Sequence, residues 1–335
     1  MQNLKSEHLN HLSTRLIKVL AQNRITTILD FLQEDVPKLA SLTKLSLSEI
    51  LAIRNEIFTK YSAPLLNGAT LFTKVVNMRS VICTGIESLN AIMDGGIPVG
   101  YITEICGLAG SGKTQLALQL AINCVKDKTN TVLYINTKGD FSAVRVQKML
   151  EAQRYSHLDM AVLMYKIRVV HIWTMEDLVD LFKSLKNRTL VIENLAFLIV
   201  DSLPCLMFQY LGGENKMGLS LLNTLVNYCR FVINEFNAGI IFINIQTRWI
   251  DNEISDIEDD GERSSTIKES TSIEKRNRCL GRYWEHIPSL VLQLDKLEDN
   301  TKENCMKIKV TVISSNNVKN YNSQIVLNLN AAGVT

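Results

Sequence analysis

Residues 101–126 read YITEICGLAGSGKTQLALQLAINCVK, a short apolar run, a glycine-rich turn and an amphipathic stretch in direct succession. The first part predicts a strand and the last a helix, and the turn between them, GLAGSGKT, fits G-x-x-x-x-G-K-[ST] without a mismatch. This is the context that makes the pattern a phosphate-binding P-loop. Gly107, Gly110 and Gly112 let the backbone curl, so that the N–H groups of Gly107, Leu108, Ala109, Gly110, Ser111 and Gly112 can turn inward around an anion. The helix that follows, with Gln115 in its first turn, adds the positive end of its dipole. In such a loop Lys113 reaches the β- and γ-phosphates of a nucleoside triphosphate, and Thr114 is a ligand for Mg²⁺.

Outward from this point, residues 81–335 alternate short β-branched runs with amphipathic stretches, the signature of a mostly parallel sheet with helices on its faces. The predicted strands are Tyr101–Cys106, Thr131–Asn136, Val169–Ile172, Phe197–Asp201, Ile240–Asn244, Leu290–Leu294 and Lys307–Ser314. A metal-facing acid has to end one of these strands. Ala196–Ser202, AFLIVDS, delivers one in Asp201, which is assigned to the magnesium shell. Residues 1–61 hold no glycine, and their apolar residues recur at helical spacing, so they predict a small bundle of three or four helices. Pro37 fits the first turn of the third helix, and Ser46 precedes the fourth. Residues 62–80 break the periodicity with Pro64 and Gly68 and read as a linker.

Composition narrows the class. The chain has 335 residues, 46% hydrophobic and 21% charged, which suits about two globular domains of ~150 residues and excludes a disordered or fibrous chain. No run approaches the ~18 apolar residues of a membrane span, and the N-terminus lacks the apolar core of a secretory signal, so a soluble intracellular protein is expected. Seven cysteines without a C-x-x-C pair read as core thiols rather than a disulfide or zinc framework. With 36 basic and 34 acidic residues, any contact with nucleic acid has to come from a local patch.

The order of these elements resembles a known family. CTGIESLNAIMDGGIPVGYITEICGLAGSGKTQLALQLA is similar to the core entry of the RecA-type recombinases of eukaryotes and archaea, and the likeness continues through VLYINTKGDFSAVR, DSLPCLMFQ, FINIQTR and LGRYWEHIPS. It covers nearly the whole chain, and YSAPLLNGATLF with LGRYWEHIPS is most similar to the accessory paralogues of the strand-exchange enzymes. The resemblance implies a RecA-like ATPase core that binds ATP and Mg²⁺, preceded by an all-α domain. It further implies nuclear work in homologous recombination repair, in a complex containing the B and C paralogues and the XRCC-type paralogue. Weak contact with single-stranded or branched DNA is implied as well. By the same resemblance Phe141 and Arg145 match family positions, and Arg145 could lie over the adenine ring.

Departures from the family pattern limit the activity expected. The strand-exchange enzymes end their second core strand in T-E-G, where the glutamate orients the attacking water; here the residues are Thr137-Lys138-Gly139. A lysine cannot accept the water's proton, and general-base assistance is worth ~10²–10⁴ in rate, so binding with slow hydrolysis is expected. A second possibility is that Lys138 acts in trans on a neighbouring subunit's nucleotide. The family's Asn-Gln sensor pair is here Asn244-Ile245-Gln246, so Gln246 has either slipped to the other face of its strand or left the sensor incomplete.

Residues 247–280 read as a long polar loop, expected to be disordered. Residues 251–262 carry seven acids and no base, whereas 263–282 carry Arg263, Lys268, Lys275, Arg276, Arg278 and Arg282 against two acids. The family polymerises by laying an F-x-x-A strand of one subunit along the sheet edge of the next. The corresponding stretch here is Leu66-Asn67-Gly68-Ala69, with Phe72 just beyond, a candidate docking strand for a heterotypic partner. Two classes therefore stay open, a nucleotide-binding adaptor and a DNA-dependent ATPase with strand-pairing activity of its own, and Lys138 favours the first. A small-metabolite kinase would explain neither the N-terminal module nor the linker.

Overall fold

The computed structural model describes residues 4, 12–62, 67–78, 81–127, 129–210, 216–251, 273–297, 305–315 and 322–335. The chain divides into two compact units, Met1–Thr73 and Lys74–Thr335.

The described part of the first unit holds four helices, α1 (Thr14–Gln22), α2 (Ile28–Gln33), α3 (Val36–Thr43) and α4 (Leu47–Tyr61). Their starts follow from local chemistry. Thr27 with Asp30, and Ser46 with Glu49, form reciprocal capping boxes at α2 and α4, and Pro37 sits in the first turn of α3, where no amide donor is needed. Leu20, Phe31, Leu39, Ile50, Ile53 and Ile57 are wholly buried between them. The polar seam is closed by Arg54, whose guanidinium donates to the carbonyls of Phe31 and Glu34.

The division between the units falls within α5 (Gly68–Met78), a helix where the sequence suggested a linker with a docking strand. Ala69 and Phe72 therefore lie on a helix, whose start is helped by Asn67 accepting the Thr70 amide at 2.8 Å. Phe72 is 70% exposed, and Leu66 lies outside the described residues.

The second unit opens with β1 (Val81–Ile82), α6 (Glu87–Ile92), β2 (Ile97–Pro98), β3 (Ile102–Gly107), α7 (Lys113–Lys126) and β4 (Thr131–Asn136). It continues through α8 (Ala143–Ala152), α9 (His157–Tyr165), β5 (Ile167–His171), α10 (Met175–Lys186), β6 (Leu195–Asp201), α11 (Leu203–Met207), α12 (Lys216–Phe236) and β7 (Gly239–Ile243). β8 (Gln246–Asp251), β9 (Ile273–Arg278), α13 (Gly281–Glu285), β10 (Leu290–Lys296), β11 (Met306–Ser315), β12 (Gln324–Asn330) and β13 (Gly333–Val334) complete it.

Nine strands form one sheet in the order β13-β12-β11-β10-β3-β7-β6-β4-β5. The pairs from β10 to β5 are parallel, and β11 to β13 extend the sheet antiparallel. The central strands are buried on both faces, which is why they read as unbroken apolar runs. Phe197 and Ile199 of β6 join the core under α7, α8 and α9, whereas Leu198 and Val200 join the core under α10 and α12. β4 divides likewise, with Tyr134 on one side and Ile135 on the other. Because these strands are parallel, their carboxyl ends share one edge, where ligands of open α/β sheets bind.

The loop expected over residues 247–280 is ordered at both ends. β8 and β9 pair antiparallel from Gln246↔Arg278 to Asp251↔Ile273. Residues 252–272 lie outside the described residues. Among the described residues no helix is long and apolar enough to cross a membrane, and none of the seven cysteines is in a disulfide.

Candidate nucleotide-binding site

The turn between β3 and α7 is the centre of the site. Gly112 caps α7 in the left-handed region at φ +89°, and a Cβ there would stand 2.4 Å from Ile308 Cδ1. At Gly107 a Cβ would stand 2.3 Å from the Leu294 carbonyl oxygen, so β3 can enter the turn beside β10 only as glycine. Lys113 is 8% exposed and folds back onto the loop, its Nζ donating to the carbonyls of Gly107 (3.0 Å) and Leu108 (2.6 Å) and to Ser111 Oγ (3.4 Å). Burial, reinforced by the nearby ammonium of Lys138, lowers its pKa to about 8, and Asp201 opposes the shift.

Asp201, at the end of β6, is wholly buried. Its Oδ2 accepts from Thr114 Oγ1 at 2.7 Å and from the Tyr134 hydroxyl at 2.8 Å. Burial and this carboxylate push the Tyr134 phenol well above its ordinary range, so it acts as a fixed donor. Asp201 Oδ1 has no hydrogen-bond partner, and Lys138 Nζ lies 3.7 Å from it. Thr137 sets this geometry by stitching the ends of β4 and β6: its Oγ1 accepts the Ser202 amide at 2.7 Å and donates to the Ser202 carbonyl at 2.8 Å. Asn136 Oδ1 then takes the amides of Lys138 and Gly139, which turns the chain across the mouth of the loop.

Lys113, Thr114 and Lys138 face a cavity of about 360 Å³, whose walls also include Gly110, Asp140 and Ile245. Two observations fit a nucleoside triphosphate with its metal. The Lys113 ammonium bonds to its own loop's carbonyls where a phosphate could take their place, and the Asp201 carboxylate, which accepts from the Thr114 hydroxyl through Oδ2 and keeps Oδ1 without a hydrogen bond, gives with that hydroxyl a hard oxygen pair suited to Mg²⁺.

Other sequence candidates fall differently. Gln115 lines the cavity and accepts from Arg145 Nε at 2.7 Å, and the guanidinium also donates to the carbonyls of Asn330 and Ala331. Arg145 thus pins the C-terminal hairpin to α7, with its in-plane donors engaged. Asn244 and Gln246 do not line the cavity; Ile245 between them does. Asn244 Nδ2 donates to Glu104 Oε1 (2.9 Å) and to the Cys279 carbonyl (3.0 Å), and Gln246 Nε2 donates to Gln293 Oε1 (3.0 Å). Both amides are engaged by these partners, and neither lines the cavity.

On the basic flank, Arg276 pairs with Asp295 at 2.7 Å and Arg278 with buried Glu104 at 3.0 Å, so the two tie the ribbon to the core. Glu104, missed in the sequence, is the hub of this cluster and also accepts from Trp284 Nε1 at 3.0 Å. Burial pushes its carboxyl up while Arg278 holds it down. Its signal was a lone carboxylate inside the apolar run ITEIC. Tyr134 and Thr137 gave no comparable signal, since each reads as an ordinary strand residue.

Fold and site together define a P-loop protein with a RecA-like core. A family model described as Rad51 matches residues 76–261, over half of the sequence, and the chain belongs to the Rad51 family. The mouse protein named DNA repair protein RAD51 homolog 4 is 28% identical over 293 residues, covering 86% of this chain and 82% of the mouse protein. The Bos taurus protein of the same name is 26% identical over 294 residues, covering 86% and 84%. A crystal structure of the RadB recombinase superposes with a TM-score of 0.55 at 20% identity, covering 76% of this chain and 98% of that one, a likeness of fold. RecA-like recombinases normally bind ATP with Mg²⁺.

Proposed function

We propose that this chain is the D-type paralogue of the Rad51 family, a nuclear ATP-binding subunit of a heteromeric complex in homologous recombination repair. Its nucleotide would serve assembly and would be hydrolysed slowly, if at all. The observation that carries this reading is Lys138: the position where the family's pattern places a water-orienting glutamate holds an ammonium, 3.7 Å from the buried Asp201. Gly107–Thr114 would hold the phosphates, Thr114 and Asp201 the magnesium, and Mg²⁺ would supply charge stabilisation at the γ-phosphate. A second reading, a DNA-dependent ATPase with strand-pairing activity of its own, draws on Asp140, a carboxylate on the cavity wall two residues beyond Lys138.

The sheet edge supports a partner subunit. Among the described residues β5 is the last strand on its side of the sheet, and beside it lies a cavity of about 710 Å³ whose walls include Leu133, Tyr165, Val170, Leu181, Leu190 and Val191. Tyr165 and Val191 are 71% and 68% exposed, so both leave water only if something docks there. An added strand with an apolar side chain in this cavity is the mode of contact that such an edge suits. The partners proposed are the B, C and XRCC-type paralogues, with DNA contacted weakly through the β8–β9 ribbon. Changing Tyr165→Glu together with Val191→Glu should reduce co-purification with the adjacent paralogue by about tenfold or more while the melting temperature stays put. Unchanged recovery would exclude this edge as the contact.

A further inference from the structure

Lys138 does more than occupy a glutamate's place. Asp201 Oδ2 is saturated by the hydroxyls of Thr114 and Tyr134, and the ammonium of Lys138 lies against Oδ1, its other oxygen. Thr114 and Asp201 are also the pair that would hold a metal, so a divalent ion and this ammonium compete for one carboxylate. The wall of the same cavity carries Lys113, and Thr137 and Asn136 fix the backbone on either side of Lys138. Two ammonium groups, rather than one, therefore face the space where phosphates would lie at the N-terminus of α7.

We propose that Lys138 supplies in cis the charge that magnesium would otherwise bring to the nucleotide, so that the P-loop of this chain binds ATP and ADP with little dependence on a divalent ion. The inference rests on the nucleotide-binding reading above and deepens it. A tethered ammonium has three donors: one can stay on Asp201 Oδ1 while the others reach phosphate oxygens, at the distance a flexible four-carbon stem allows. Magnesium in the same place demands an octahedral oxygen shell and gives up its waters reluctantly, and next to a fixed cation it loses part of the attraction of Asp201. The charge around the phosphates is then set by sequence and not by metal concentration.

The test is calorimetric titration of ATP and of ADP onto the purified full chain, in Mg²⁺ and in excess EDTA, for the wild type, Lys138→Met and Lys138→Arg. Affinity of the wild type and of Lys138→Arg should change by less than about threefold on removing the metal, whereas Lys138→Met should bind in Mg²⁺ and lose about 30-fold or more in EDTA. A wild type that loses about 30-fold in EDTA, or a Lys138→Met variant as indifferent to metal as the wild type, would overturn the proposal. Lys138→Arg keeps the comparison intact if Lys138→Met fails to fold, since the wild type and Lys138→Arg must then both be metal-indifferent. Absence of binding by the wild type in both buffers would instead overturn the nucleotide-binding reading itself, a result distinct from binding that needs Mg²⁺.

Discussion

Replacing Lys138 with glutamate is expected to raise single-turnover ATP hydrolysis by about 10²-fold or more, because the change puts a proton acceptor where the wild type has a cation. The backbone is already set for it: the Thr137–Ser202 stitch and the Asn136 turn position residue 138 without help from its side chain. The gain should require Mg²⁺, since the introduced carboxylate would face that of Asp201 without the ammonium that now lies 3.7 Å from it. Nucleotide affinity in Mg²⁺ should change far less than the rate, so the effect is read in the rate constant under saturating ATP. An unchanged rate would mean that the lysine is not what holds hydrolysis back. In that case Asp140→Asn in the wild type identifies whether the neighbouring carboxylate serves the water.

Lys113→Ala should weaken ATP binding by about 10²-fold or more, the loss expected for charge-assisted contacts to two phosphate groups. The same variant should weaken assembly with the partner paralogues, because nucleotide is proposed to stabilise the interface. Stability of the nucleotide-free chain should not fall with it. In that state Lys113 is an ammonium 8% exposed, with its pKa lowered to about 8 by burial and by Lys138, so its charged form is disfavoured there already. Equal melting temperatures with unequal nucleotide binding, read by thermal shift with and without ATP, would separate loss of ligand from loss of fold. Assembly that persists while turnover disappears would favour the enzyme reading over the adaptor one.

The parallel sheet was legible because buried central strands have to be apolar on both faces; all seven predicted strands are present, each within two residues of its predicted ends. The P-loop was legible because glycine, lysine and threonine are each required at their spacing. The edges were not. β12 is largely exposed on one face and β13 has only two residues, and β8 and β9 are separated by a strongly charged stretch, so their pairing was visible only once both flanks had partners. The fate of the charged and amide side chains was equally hidden, because partner choice is three-dimensional: Arg276 and Arg278 meet Asp295 and Glu104, and Asn244 meets Glu104, 140 positions away in sequence. Lys138 itself was legible as a departure. Its closeness to Asp201 was not, since 62 residues and a whole βαβ crossover lie between them.

The most direct measurement is ATP affinity together with single-turnover hydrolysis on the purified wild-type chain, with and without single-stranded DNA. Tight binding with no turnover stimulated by DNA is the predicted result, because the site is built to hold phosphates and has an ammonium where a general base would act. Brisk DNA-stimulated hydrolysis would contradict the account, and would mean that Asp140 or a partner subunit supplies the missing base.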